Sequence, residues 1–168
     1  AYNYATANGQ AGGGGGIFSQ GNLKIYAGSD IRQNYAYSKT GFAHGGNAHS
    51  RGTATISSSY LGRGGAKSAS LLGEGGGLYA AANATLTNST VANNYASGSV
   101  IGAGGGVFAY ADLSTMNSVL TGNAVNTFGA DAYVKGSLVA RYSTFSGSHG
   151  NTGSETPSGI QVEGPSAL

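Results

Sequence analysis

Six carboxylates and three imidazoles are the side chains best suited to proton transfer or metal binding in this chain. They are Asp30, Glu74, Asp112, Asp131, Glu155 and Glu163, with His44, His49 and His149. Cleaving a sugar chain needs two carboxylates converging on one bond, or a calcium site beside a Lys or Arg base. When the chain is aligned on its internal repeat, no column holds two neighbouring carboxylates. Asp112 falls beside Asn83 and Ser137, Asp131 among Gly106 and Gly159, and Asp30 near Tyr60. The acids therefore read as solvated surface groups, and no catalytic set is expected. The histidines fall in different columns or loops, so no metal set or cofactor is expected either. There is no cysteine, which excludes disulfides and thiolate metal sites. No G-x-S-x-G elbow or P-loop occurs, and the glycine runs precede strands rather than helices. Asn83-Ala84-Thr85 and Asn88-Ser89-Thr90 are formal glycosylation sequons.

Two other columns stand out. Phe18, His49, Tyr79, Phe108 and Tyr133 align, each just after an inward aliphatic residue, so each is expected to point outward. His49 stands where the others carry a benzene ring, and ring stacking is its expected role. Such a column can stabilise itself under covering loops, form a lateral interface, or offer a sugar-stacking platform. The second column holds Asn34, Asn94 and Asn123, with Gly64 and Ser148 in the same place. Stacked carboxamides at a turn bond to each other and to neighbouring backbone, so this column is expected to be a structural ladder.

What positions both columns is a repeat. Blocks begin at Gly16, Asn47, Gly77, Gly106, Asp131 and Gly159, spaced 31, 30, 29, 25 and 28 residues apart. After each start the apolar residues alternate, as in Leu78, Ala80, Ala82, Ala84 and Leu86, which is strand spacing. A turn of two or three residues follows. A second short strand is then centred on Ile31, Leu61, Val91, Leu120 or Phe145. The abundant Gly, Ser, Thr and Asn disfavour helix. A fixed period of this size means stacked units. The reading is an all-β, right-handed parallel β-helix of about five coils. Residues 1–15 form a partial first coil, 16–158 five repeats, and 159–168 a partial last coil. Residues 35–45, 65–76, 96–105, 125–130 and 150–158 are expected to be long loops on one side.

Composition narrows the partners. Charged residues are 8% and the net charge is +2, which leaves no electrostatic basis for binding nucleic acid or an anionic membrane. Eleven tyrosines, five phenylalanines and regularly placed aliphatics argue against disorder. No apolar run is long enough to span a membrane as a helix. The chain begins at Ala1 and not Met, which reads as processing or excision from something longer.

The string G-G-G-[ILV]-[FY] followed by N-S-x-[VIL]-x-x-N-x-A is carried by residues 75–96 and, with variation, by 14–36 and 104–124. It resembles the right-handed β-helix repeats of bacterial surface proteins, above all polymorphic outer-membrane proteins and autotransporter adhesin passengers. The wider superfamily includes pectate-lyase-like enzymes. The resemblance implies extracellular or cell-surface display and adhesive or matrix roles. The two ends add an expectation of their own. Asn3-Tyr4-Ala5 repeats the text of 34–36 and 94–96, so the chain starts just after a second strand. It stops just before the next one, and no capping sequence is evident at either end. Asn3, Tyr4, Ile160, Val162 and Leu168 are thus candidate end-to-end contacts between copies, in a filament built by a heterologous contact that does not close. The alternative to this self-associating structural role is a carbohydrate-binding or polysaccharide-degrading β-helix, with glycans or a host or matrix surface as partner.

Overall fold

A computed structural model describes residues 3–8, 11–150, 159–164 and 166–167. These residues form 27 short strands and no helix, every pairing parallel, wound into a β-solenoid of about five coils. Each of the first four coils visits five sheets in turn. In the second coil these are sheet I (Asn34–Ser38), sheet II (Phe42–His44), sheet III (Ala48–Ser50), sheet IV (Ala54–Ser57) and sheet V (Tyr60–Gly62). The fifth coil replaces its sheet II strand with an isolated bridge at Phe128. The next coil pairs with it position for position, as in Leu78 with Ala48, Leu86 with Ile56 and Leu61 with Val91.

Sheets III, IV and V enclose the main core. Leu23, Ile56, Leu61, Leu78, Leu86, Val91, Val107, Leu113, Leu120 and Leu138 are buried there, between columns of alanine. The alternation read from the sequence places these residues inward, because successive strand side chains point to opposite faces.

The first three segments expected as long loops contain strands instead, whereas residues 126–130 remain irregular apart from an isolated bridge between Phe128 and Ala103. Asn34–Ser38, Gly65–Ser68 and Tyr95–Gly98 build sheet I, and Phe42–His44, Leu72–Glu74 and Ile101–Ala103 build sheet II. The fifth of those segments, residues 150–158, lies outside the described residues except for Gly150, which ends a strand of sheet I. Sheets I and II press their inner faces together through Ala36, Ala66, Ala96, Ala43, Gly73 and Gly102, all buried. A Cβ on Gly73 would collide with the Ser97 carbonyl, so only glycine lets the two backbones approach this closely.

The turns are built from side chains as well as backbone. Between sheets IV and V, Ser58, Asn88, Asn117 and Tyr142 adopt positive φ. Beside them a serine column crosses from coil to coil: the Ser59, Ser89 and Ser118 amides donate to the hydroxyls of Ser89, Ser118 and Ser143. Between sheets II and III the positive-φ position is glycine in every coil, at Gly14, Gly45, Gly75, Gly104 and Gly129. That turn bends sheet III back so that the outer faces of sheets II and III look at each other across a concave corner.

Candidate functional site

The corner collects the aromatic column. Phe18, His49, Tyr79, Phe108 and Tyr133 do point away from the lumen, yet they do not line an open face. Phe108 is 1% exposed, His49 5% and Tyr79 8%. Sheet II covers the middle three, with Gly13, His44, Glu74 and Ala103 in register on the opposing strands, while Phe18 is 44% exposed and Tyr133 is half-buried. The cover is a neighbouring sheet of the same coil rather than a set of loops. Ring contacts run the length of the corner. Phe18 meets His49 edge-on at 5.0 Å and His49 meets Tyr79 edge-on at 4.9 Å. Tyr79 stacks on Phe108, and Phe108 on Tyr133, both at 5.2 Å.

His44 and Glu74 complete this cluster. The His44 ring stacks on Tyr79 at 4.3 Å, and its Nε2 lies 3.0 Å from Glu74 Oε2. Glu74 is therefore a buried, partnered acid and not the solvated group expected from sequence. His49 Nδ1 is buried without a hydrogen bond and faces the Cα of Gly13. Burial, then the neighbouring His44 and Arg51, lower its pKa to about 4. Burial, with Glu74 and Tyr110 adding repulsion, raises Tyr79 to about 12. Burial also raises Tyr133 to about 12, helped by its hydroxyl bonding to Glu163. The corner is thus built to keep its rings neutral.

The carboxamide ladder lies on the lumen side and is longer than Asn34, Asn94 and Asn123. Its Nδ2 groups donate in one direction. Asn3 donates to Asn34 at 2.8 Å, Asn34 to Asn47 at 2.9 Å, Asn47 to Asn94 at 3.0 Å and Asn94 to Asn123 at 3.1 Å. Asn123 donates to Asp131 at 2.7 Å. The residues from Asn34 to Asp131 are all buried. Asn47, Asn94 and Asn123 also each donate to a carbonyl of sheet V, at Gly62, Leu61 and Val91.

Asn47 and Asp131 come from the block-start column, where glycine is the rule. The two columns face each other, and there is room for one large side chain per repeat block. A Cβ on Gly77 would sit 2.9 Å from Asn94 Nδ2, and one on Gly106 2.9 Å from Asn123 Nδ2. In the block that begins at Asn47 the roles are exchanged. Gly64 vacates the ladder position and Asn47 fills it from across the lumen, 2.5 Å from where a Gly64 Cβ would be. In the block that begins at Asp131, its carboxylate fills the position opposite Ser148, with Oδ1 accepting from Asn123 and Oδ2 buried without a hydrogen bond. The sequence carries this signal: the two exceptions, Asn for Gly and Gly for Asn, fall in the same block. Asp131 is fully buried, which corrects its reading as a surface acid, and burial raises its pKa despite the bond from Asn123.

The remaining acids are scattered. Asp30 pairs with Arg32 at 2.8 Å on the surface. Asp112 Oδ1 accepts from the Ser137 amide at 2.8 Å, tying adjacent coils. Glu155 lies outside the described residues, as does Leu168. Among the described residues no three His, Asp or Glu side chains gather as metal ligands. Asn3 and the exposed Tyr4 sit on the first strand, and Ile160 and Val162 on the last strand of sheet III. A recess of about 330 Å³, lined in part by Asn3, Ile17, Ile31 and Asn34, opens at the first coil.

No protein-family model, curated protein or solved structure matches this chain.

Proposed function

We propose that this is a non-enzymatic structural or adhesive β-solenoid, secreted or displayed at a cell surface, whose copies join head to tail into a filament. The resemblance of its repeats to polymorphic outer-membrane and autotransporter passengers supports the surface setting, in which the same coils would form a segment of a longer passenger. One observation carries the reading. The partly buried apolar side chains packed on the lumen core are Ile17, Ile31, Ala140, Phe145, Ile160 and Val162, and all of them sit in the terminal coils. Strand edges with free ladder positions lie beside them, and such edges template pairing with another chain. The alternative is carbohydrate binding or cleavage through the loop side and the aromatic column; with Tyr79 and Phe108 buried, Phe18 is the most exposed ring of that column.

Sedimentation velocity over a concentration series tests the proposal. The wild-type chain is expected to form a ladder of elongated oligomers. Ile31→Glu blocks one end and Val162→Glu the other, so each variant stays monomeric. Mixed together they form a dimer and stop, because one good end of each kind remains. Monomers alone at every concentration would sink the filament reading.

A further inference from the structure

The strands of sheet I carry an outer tyrosine column that the corner does not use. Tyr4 pairs in register with Tyr35, Tyr35 with Gly65, and Gly65 with Tyr95. The Tyr4 and Tyr35 rings stack at 5.3 Å with 27° between planes. Tyr35 and Tyr95 lean together over Gly65 to 6.2 Å, into space that a Gly65 Cβ would fill. Tyr4 is 69% exposed, and Tyr35 and Tyr95 are half-buried. Among the described ring contacts these are the two that bring phenol against phenol. In the corner, Tyr79 and Tyr133 each stack on Phe108, which has no phenol to couple.

We propose that Tyr4 and Tyr35 form an oxidative cross-linking site, joined as dityrosine by a haem peroxidase and hydrogen peroxide, with Tyr95 as a relay into the pair. Each phenol gives up one electron and one proton. The two phenoxyl radicals form one carbon–carbon bond between the positions ortho to their oxygens. Both rings regain aromaticity as the displaced ortho hydrogens move to oxygen. The two electrons and two protons convert one hydrogen peroxide to two waters. Stacking on paired strands holds the rings together before oxidation, which is the entropic advantage of a positioned pair. Tyr95, in contact with Tyr35, passes oxidation inward to the pair. The product fastens the strand Asn3–Ala7 to Asn34–Ser38 covalently, at the edge of sheet I. This inference stands apart from head-to-tail assembly, since both phenols belong to one chain.

The test treats the dilute full chain with peroxidase and limiting hydrogen peroxide, then maps peptides by mass spectrometry. A Tyr4–Tyr35 linked peptide, lighter than its two parts by two hydrogens, is expected, with the blue fluorescence of a biphenol. Its yield should not change with protein concentration. Tyr35→Phe keeps the ring and the fold but removes the phenol, so this peptide falls to background. Tyr142→Phe, at an exposed solitary tyrosine, leaves it unchanged. Products linked only through Tyr142 or Tyr26, or a Tyr4–Tyr35 yield that rises with concentration, would overturn the proposal.

Discussion

The carboxamide ladder and the aromatic corner both place one group per coil along the rod, but they tolerate change differently. The ladder is directional. Each Nδ2 must find the next oxygen, and every rung from Asn34 to Asp131 is buried, so the position demands a carboxamide or, at its end, a carboxylate. When Gly64 drops out, Asn47 restores the group from the facing column. The corner is volumetric. Phe, His and Tyr alternate there, and the opposing strand adjusts with Gly13, His44, Glu74 or Ala103. Chemistry is fixed in one region and space in the other.

The sharpest way to break this contrast is Asn94→Leu, a near-isosteric change. Asn94 accepts from Asn47 and the Gly64 amide, and donates to Asn123 and the Leu61 carbonyl. Leaving those groups buried and unpaired is expected to cost about 4 kcal/mol in chemical denaturation. Next comes the exchanged block. Asn47→Gly opens the ladder and Gly64→Asn overcrowds it, each costing about 2–3 kcal/mol. The double variant should recover more than half of the summed loss, a coupling that a double-mutant cycle reads directly. Additive losses would mean the two columns are independent.

The corner predicts a pH dependence. The pKa of His49 falls from 6.5 to about 4 on folding, so the unfolded chain binds the extra proton between those values. Its contribution is complete above pH 6.5 and is lost as pH falls toward 4, on the order of 2 kcal/mol. His49→Phe, matching the rest of the column, should flatten that slope in a pH series of thermal melts. The smallest effect is expected from Phe108→Leu, about 1–2 kcal/mol, because the corner asks for bulk and not for a particular group. A loss matching that of Asn94→Leu would erase the distinction.

The alternation in sheets III and IV and the aliphatic centres of sheet V were legible because large apolar residues mark every second position. Sheets I and II were not. Their strands are rich in Gly, Ala and Ser, residues with little strand preference, and carry no run of alternating large apolar residues, so stacking on neighbouring coils makes them strands. Missing them hid the corner as well. The aromatic column was correctly placed outside the lumen, but its burial follows from the glycine turn that folds sheet II over it. Asn34, Asn94 and Asn123 were readable as a column. Asn47 stands out in the sequence only as an irregular block start, and Asp131 as that and a surface acid, because their partnership spans the lumen. His44 and Glu74 sat in segments taken for loops, so their pairing had no visible frame.

The ladder also has a mechanical meaning. Its bonds and those of the five sheets run along the rod, from one coil to the next. Tension along that axis therefore loads each junction in series, and a junction yields by peeling away one coil. A peeled coil frees about 30 residues, roughly 100 Å of slack, before the next junction bears the load. Stretched in this way, the rod gives way in regular steps and stays intact behind the breaking front. Asn34, Asn47, Asn94 and Asn123 would each set the height of one step.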